Sequence, residues 1–277
     1  MKTKNIILPL ILLFTFAFWS CEEVVNIPLN TANPKLVVEA SILWEKGTTG
    51  NEQKIKLTTT GDFYDNDVPK VLGATVTVKN SKGTIFNFAE IPNTGEYACH
   101  DFVPELNETY TLEIVTNGVT YTATETLKPV APIKRVEYED IAGFDENMIG
   151  MKCFFDDPAD EENFYLFRED NPQKLNPEYF ASTDEFFNGN EYYSLAAADK
   201  TFVGDQIKIT HIGISKTYFN YVNLIISLAG NQGGGPFQTP PITAKGNVIN
   251  TQDNNNNALG FFSLSETSSI LFTIPQE

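Results

Sequence analysis

Between residues 35 and 128 apolar side chains recur at every second position in short runs, and the runs are broken by Gly, Asn and Pro. KLVVEASIL, QKIKLTTT, GATVTVKNSKGTIFNF and GEYAC each carry this period of two, which predicts half-buried strands. The clearest run is TYTLEIVTNGVTYTAT. Tyr110, Leu112 and Ile114 share one face, Val119, Tyr121 and Ala123 return, and Asn117-Gly118 supplies the positive φ angles of a type I′ turn. About seven strands spaced roughly ten residues apart predict an immunoglobulin-like or transthyretin-like sandwich over 35–128.

LKPVAPIKRV then interrupts the pattern, and Pro129 and Pro132 predict a stiff, extended connector. A second β-rich domain is expected over 133–277, with strands in MIGMKCFF, NFYLFRE and GDQIKITHIGIS and two closing strands in LGFFSLSE and SILFTI. The period changes once. Tyr218, Tyr221, Val222, Ile225 and Leu228 fall at helical spacing, Ser215 is placed to cap the start, and Gly230 is placed to end the helix, so 216–229 is expected to be helical. That stripe predicts a face packed on the second sheet or a surface docked on a partner. Residues 230–257 carry almost no regular pattern, and a loop of that length in a compact domain is uncommon unless it is functional or disordered. The expected fold is therefore mostly β, two β-sandwich-like domains with one amphipathic helix in the second.

At the other end of the chain, Lys2 and Lys4 precede an apolar stretch, Ile6 to Trp19, that stops at Ser20-Cys21 and is followed by Glu22-Glu23. The stretch is short for a membrane span and lacks a basic flank, which predicts an export signal over 1–20. It resembles a bacterial lipoprotein signal, in which the cysteine thiol takes a diacylglyceryl group and cleavage occurs just before it. The resemblance implies lipidation of Cys21, with 21–34 as the linker from the anchor. Removing residues 1–20 takes away two lysines and no acid, so the net charge moves from −17 to −19. A surface this acidic excludes nucleic acid and anionic headgroups as partners, which leaves the lipid to hold the protein at a membrane.

Candidate chemistry is sparse. His100 and His211 are the two histidines, and both sit in strand patterns with no nucleophile or acid partner at a useful spacing. After Cys21 only Cys99 and Cys153 remain, read as buried thiols or as a single disulfide. No nucleotide, zinc-protease or nucleophile-elbow motif occurs, so the chain is read as a non-enzyme without a cofactor other than its covalent lipid. Three stretches, GDFYDNDVPK, DDPADEEN and NTQDNNNN, carry enough oxygen ligands to hold calcium, though none has the spacing of a dedicated loop. Asp156, Asp157 and Asp160 are the best of them, against the plainer reading as solvated turns. FFNGNEYY offers Phe187, Asn188 and Tyr192 for a glycan or peptide, against the plainer reading as core. In GGGPFQTPP, Gly234, Pro236 and Phe237 make a docking loop, or one that tucks under its own domain.

Taken together, CEEVVNIPL, PKLVVEASI, the GATVTV to TYTA series, DDPADEENFYLF, TYFNYVNLIIS, GGGPFQTPP, GNVIN and ALGFF resemble a lipoprotein family of Bacteroidota-type bacteria whose domain has no assigned function. The resemblance runs over essentially the whole mature chain. It implies an outer-membrane lipoprotein whose genes commonly lie beside TonB-dependent receptors. It also implies a face to the cell exterior, since in such bacteria acidic residues directly after the lipidated cysteine favour surface display and Glu22-Glu23 is a short version of that signal. The expected role is that of a non-catalytic accessory or docking component of such a receptor, and the alternative is an independent glycan- or peptide-binding module. The family supplies no catalytic or ligand residues to carry over.

Overall fold

Alternation becomes burial in the first strand, β1 (Leu36–Glu45): Leu36, Val38, Ala40 and Ile42 point inward while Glu39, Ser41 and Leu43 face out. The computed structural model describes residues 33–61, 68–140, 149–198, 201–230 and 244–275. β2 (Gln53–Thr59), β3 (Thr75–Asn80), β4 (Ile85–Ile91), β5 (Glu96–Cys99), β6 (Thr109–Thr116) and β7 (Val119–Thr126) follow where the alternating runs predict them. Asn117 and Gly118, at φ 49° and 74°, make the expected hairpin turn between β6 and β7. β4 changes partner midway. Ile85 to Phe88 pair with β3 and Ala89 to Ile91 pair with β5, which folds the ladder into two layers over a core that includes Ile42, Leu57, Val78, Phe86, Tyr97 and Leu112.

The second half contains β8 (Arg135–Asp140), β9 (Ile149–Asp156), β10 (Phe164–Asp170), β11 (Glu178–Thr183), β12 (Glu191–Ala198), β13 (Gln206–Ile214), the helix α1 (Lys216–Gly230), β14 (Ile249–Asn250) and β15 (Leu259–Thr273). A three-stranded sheet, β12-β9-β8, places Met151, Cys153 and Phe155 against Tyr165 and Phe167 of β10 and Ile207 and Ile209 of β13. The described residues are thus mostly β with one helix, the fold class expected. β8, β11, β12 and the two-residue β14 were not foreseen. EYFAST in β11 is a sheet-edge strand without a buried face, so it lacks the alternation that marks a strand in sequence.

Two closing strands were expected, and there is one. β15 runs 15 residues; its first part lies parallel to β1 and its last part antiparallel to β13, with Thr267 opposite both Glu45 and Ile212. Phe262 and Leu264 fill the first core, while Ile270 and Phe272 pack on the second. Residues 248–264 therefore complete the first sandwich, and the contiguous division at 128/133 does not follow the strand pairing. Contacts group residues 34–277 as one compact unit.

The connector is extended, as its prolines predict, but it is docked rather than free. Lys128 pairs along β15, with its N–H donating to Leu264 O at 3.2 Å and its carbonyl accepting from Glu266 N at 2.8 Å. The buried Glu266 carboxylate accepts from Val130 N at 3.0 Å and from Lys46 Nζ at 2.8 Å. Gly213 of β13 lies under Pro129, where a Cβ would stand 1.8 Å from the Pro129 carbonyl oxygen, so no side chain fits.

Candidate functional site

Helix α1 begins at Ser215, whose Oγ accepts from Tyr218 N at 3.1 Å and donates to Glu125 on β7 at 2.9 Å. Its half-buried stripe is Tyr218, Phe219, Val222 and Ile226, packed on Phe164, Leu166, Ile212 and Ile214 of β10 and β13. The expected stripe is rotated. Ile225 and Leu228 are 40% and 38% exposed, because the helix rests on two neighbouring surfaces. Phe219, Val222 and Ile226 meet β10 and β13, while Tyr218 and Tyr221 each stand 4.9 Å, centroid to centroid, from Phe261 at the start of β15.

That second contact forms the floor of a groove. Thr217, Asn220, Tyr221 and Leu224 make one wall, Lys245, Gly246 and Asn247 the other, and the hollow measures about 420 Å³. The second wall is fixed by backbone. Asn247 treats Phe262 as a strand partner, its Oδ1 accepting from Phe262 N and its Nδ2 donating to Phe262 O, both at 2.8 Å. A Cβ on Gly246 would lie 1.6 Å from the Gly260 carbonyl oxygen, so only glycine allows the approach. Both walls are thus set by packing that does not depend on an occupant.

Among the described residues the lining includes Lys216 and Lys245 and no carboxylate, in a chain with 36 acids against 19 bases. Lys216 Nζ hydrogen-bonds Glu162 at 3.1 Å and sits 5.4 Å from the Phe164 ring centroid. Lys245 is exposed and has no ion-pair partner among the described residues. The first turn of the helix holds no acid to offset its dipole. TYFNYVNLIIS, GNVIN and ALGFF, three separate stretches of the sequence, meet at this groove.

The residues singled out from sequence lie elsewhere. Asp156 pairs with Lys134 at 2.9 Å, Asp157 is buried, and Asp160 is exposed, so the three carboxylates do not converge. Asp157 accepts from Tyr165 Oη at 2.5 Å and Gly189 N at 3.0 Å, and burial raises its pKa. In NTQDNNNN, Asn250 Oδ1 accepts from Gln252 N at 2.9 Å and Asp253 N at 3.1 Å, a side-chain-organised turn. Phe187 is not a surface residue; it stacks on Tyr192 at 3.8 Å and joins the second core, while Asn188 stays exposed. Gly234, Pro236 and Phe237 lie outside the described residues, as do Cys21 and most of GDFYDNDVPK.

His100 is exposed beside Glu52. His211 is wholly buried, stacked on Phe167 at 4.3 Å, with Nδ1 bonded to Ala131 O at 2.9 Å and Nε2 without a partner among the described residues. Burial pushes its pKa down to about 3, which makes it a neutral core residue. Cys99 and Cys153 are free thiols in different cores, lifted by burial to about 11 and about 12.

No curated protein matches the chain. Among solved structures it is similar to a two fibronectin type-III domain segment from chicken tenascin, at 16% identity over 66% of this chain and 91% of that one, with a TM-score of 0.21. A cytokine receptor complex matches at 6% identity over 65% of this chain and 85% of that one, with a TM-score of 0.26. The model of one family spans residues 22–270, from just after the cysteine into the second half of β15, and so takes in both sandwiches, the helix and the groove. The chain belongs to that family, described as a domain of unknown function, DUF4249.

Proposed function

We propose that this protein is a non-catalytic docking lipoprotein of the outer membrane, anchored through Cys21, facing the cell exterior, and partnered with a TonB-dependent receptor or a similar outer-membrane protein. The observation that carries the reading is the groove beside α1, whose two walls are fixed without an occupant and whose lining is amide, lysine and aromatic. Such a surface offers a partner a preorganised seat, which limits the entropy lost on binding. Acyl chains on Cys21 supply the membrane attachment that an acidic surface does not. The alternative, a glycan- or peptide-binding module built on FFNGNEYY, loses Phe187 to the core.

The test is to solubilise outer membranes in mild detergent and recover the tagged chain. A stoichiometric β-barrel receptor is expected in the complex, and Cys21→Ala is expected to move the chain to the soluble fraction. Recovery of the lipidated chain free of any outer-membrane protein would refute the docking reading.

A further inference from the structure

An edge strand offers a row of unpaired backbone groups to any other strand, and proteins guard such edges with charge, cover or shortness. Three edges here are guarded in those ways. β8 carries Arg135, Glu137, Glu139 and Asp140 in six residues, β11 lies beneath α1, and β14 is two residues long. β12 is different. Among the described residues this strand, EYYSLAAA, pairs with β9 alone and holds one charged residue, Glu191, whose carboxylate already accepts from Lys134 and Arg135. Tyr192, Tyr193 and Leu195 along it are exposed. We infer that the β12 edge pairs antiparallel with the β12 edge of a second copy of this chain, joining two three-stranded sheets into one of six strands.

The sequence of the edge fits itself. Side chains alternate between the two faces of a strand, so a two-fold axis normal to the sheet sets opposite one another only residues that share a face. With the axis at Ser194, Tyr193 of each copy stands opposite Leu195 of the other, an aromatic and aliphatic pair made twice. Glu191 then falls opposite Ala197 rather than another acid. The same operation about the middle of β8 sets Glu137 against Glu137 or Glu139, like charges directly opposed. A net charge of −17 works against looser association of two copies elsewhere. β12 belongs to the layer that packs on β10 and β13 from the side away from α1, so the pairing leaves the groove free.

The mature chain carrying Cys21→Ala is run in sedimentation velocity from micromolar to submillimolar concentration, and a monomer–dimer equilibrium is expected. Leu195→Glu sets two acids diagonally across the axis, about 7–8 Å apart. It should weaken the dimer tenfold or more at an unchanged melting temperature, because Leu195 is exposed. The register is read by mixing a Tyr193→Cys chain with a Leu195→Cys chain under mild oxidation, the remaining thiols Cys99 and Cys153 being buried. The mixed disulfide dimer should form faster than a dimer of either chain alone. A monomer across the whole range, a dimer indifferent to Leu195→Glu, or mixed cross-linking no faster than that of each chain by itself would overturn the inference. None of these readouts involves the receptor, so the docking reading stands or falls separately.

Discussion

Two surfaces of this molecule carry aromatic rings beside cations, and they differ in what those groups already hold. On the outer face of the three-stranded sheet the Arg135 guanidinium lies 3.7 Å from the Phe154 ring centroid, and Lys152 Nζ lies 5.3 Å from that of Tyr193. Glu191 accepts from Arg135 and Lys134, both at 2.8 Å, and these bonds hold its carboxyl down to about 2. In the groove beside α1, Lys216 is likewise held by Glu162, but Lys245 has no ion-pair partner among the described residues, and the rings form the floor of a hollow of about 420 Å³. The first surface is closed by its own residues and the second is open to a partner. Aromatic content alone does not separate them, nor does pairing at Lys216, which Glu162 holds; the unpaired Lys245 and the hollow over the rings do.

The largest effect expected is at the groove wall. Gly246→Val sets a Cβ against the Gly260 carbonyl, and the backbone has to move. A loss of about 4 kcal/mol or more is expected in denaturant unfolding, the range of severe steric substitutions. A small change would mean that the wall is not held as described.

Next comes the sheet under the helix, whose acid limit is set by His211. Its folded pKa, about 3, is below the ordinary value of 6.5. The stability linked to neutral His211 is full above 6.5 and is lost as pH falls from 6.5 toward 3, by about 3 kcal/mol at pH 4. Asp157 works in the opposite direction, because its raised pKa favours the acid form in the fold, and it offsets part of that loss. Urea midpoints at pH 7 and pH 4 check this, and His211→Leu should flatten the difference. Asn247→Ala removes two bonds to the Phe262 backbone and should cost about 1–3 kcal/mol. Smallest of all, Arg135→Ala on the closed surface should leave the melting temperature nearly unchanged, because exposed ion pairs contribute little.

The first sandwich could be read from sequence because its strands alternate cleanly and its hairpin turns on Asn117-Gly118. The helix could be read too, down to Ser215 as its cap. Its buried face could not, because a period of 3.6 finds a stripe without saying that Tyr218 and Tyr221 meet Phe261 while Phe219 and Ile226 meet β10 and β13. β15 looked like two strands because Thr267 and Ser268 interrupt its apolar positions, yet Thr267 is buried and pairs with both Glu45 and Ile212, so the strand runs through. The groove had no sequence signal of its own. It is assembled from 217–224, 245–247 and Phe261, and Lys245 stands in a stretch with no pattern to mark it.

The central claim is that the open surface beside α1, rather than the closed one, is where a partner docks. Its most direct test is recovery of the outer-membrane receptor by three lipidated chains: wild type, the double variant Thr217→Glu with Lys245→Glu, and Arg135→Ala. The account predicts that wild type and Arg135→Ala retain the receptor equally, while the double variant loses it at an unchanged melting temperature. Retention by the double variant, or loss with Arg135→Ala, would contradict it.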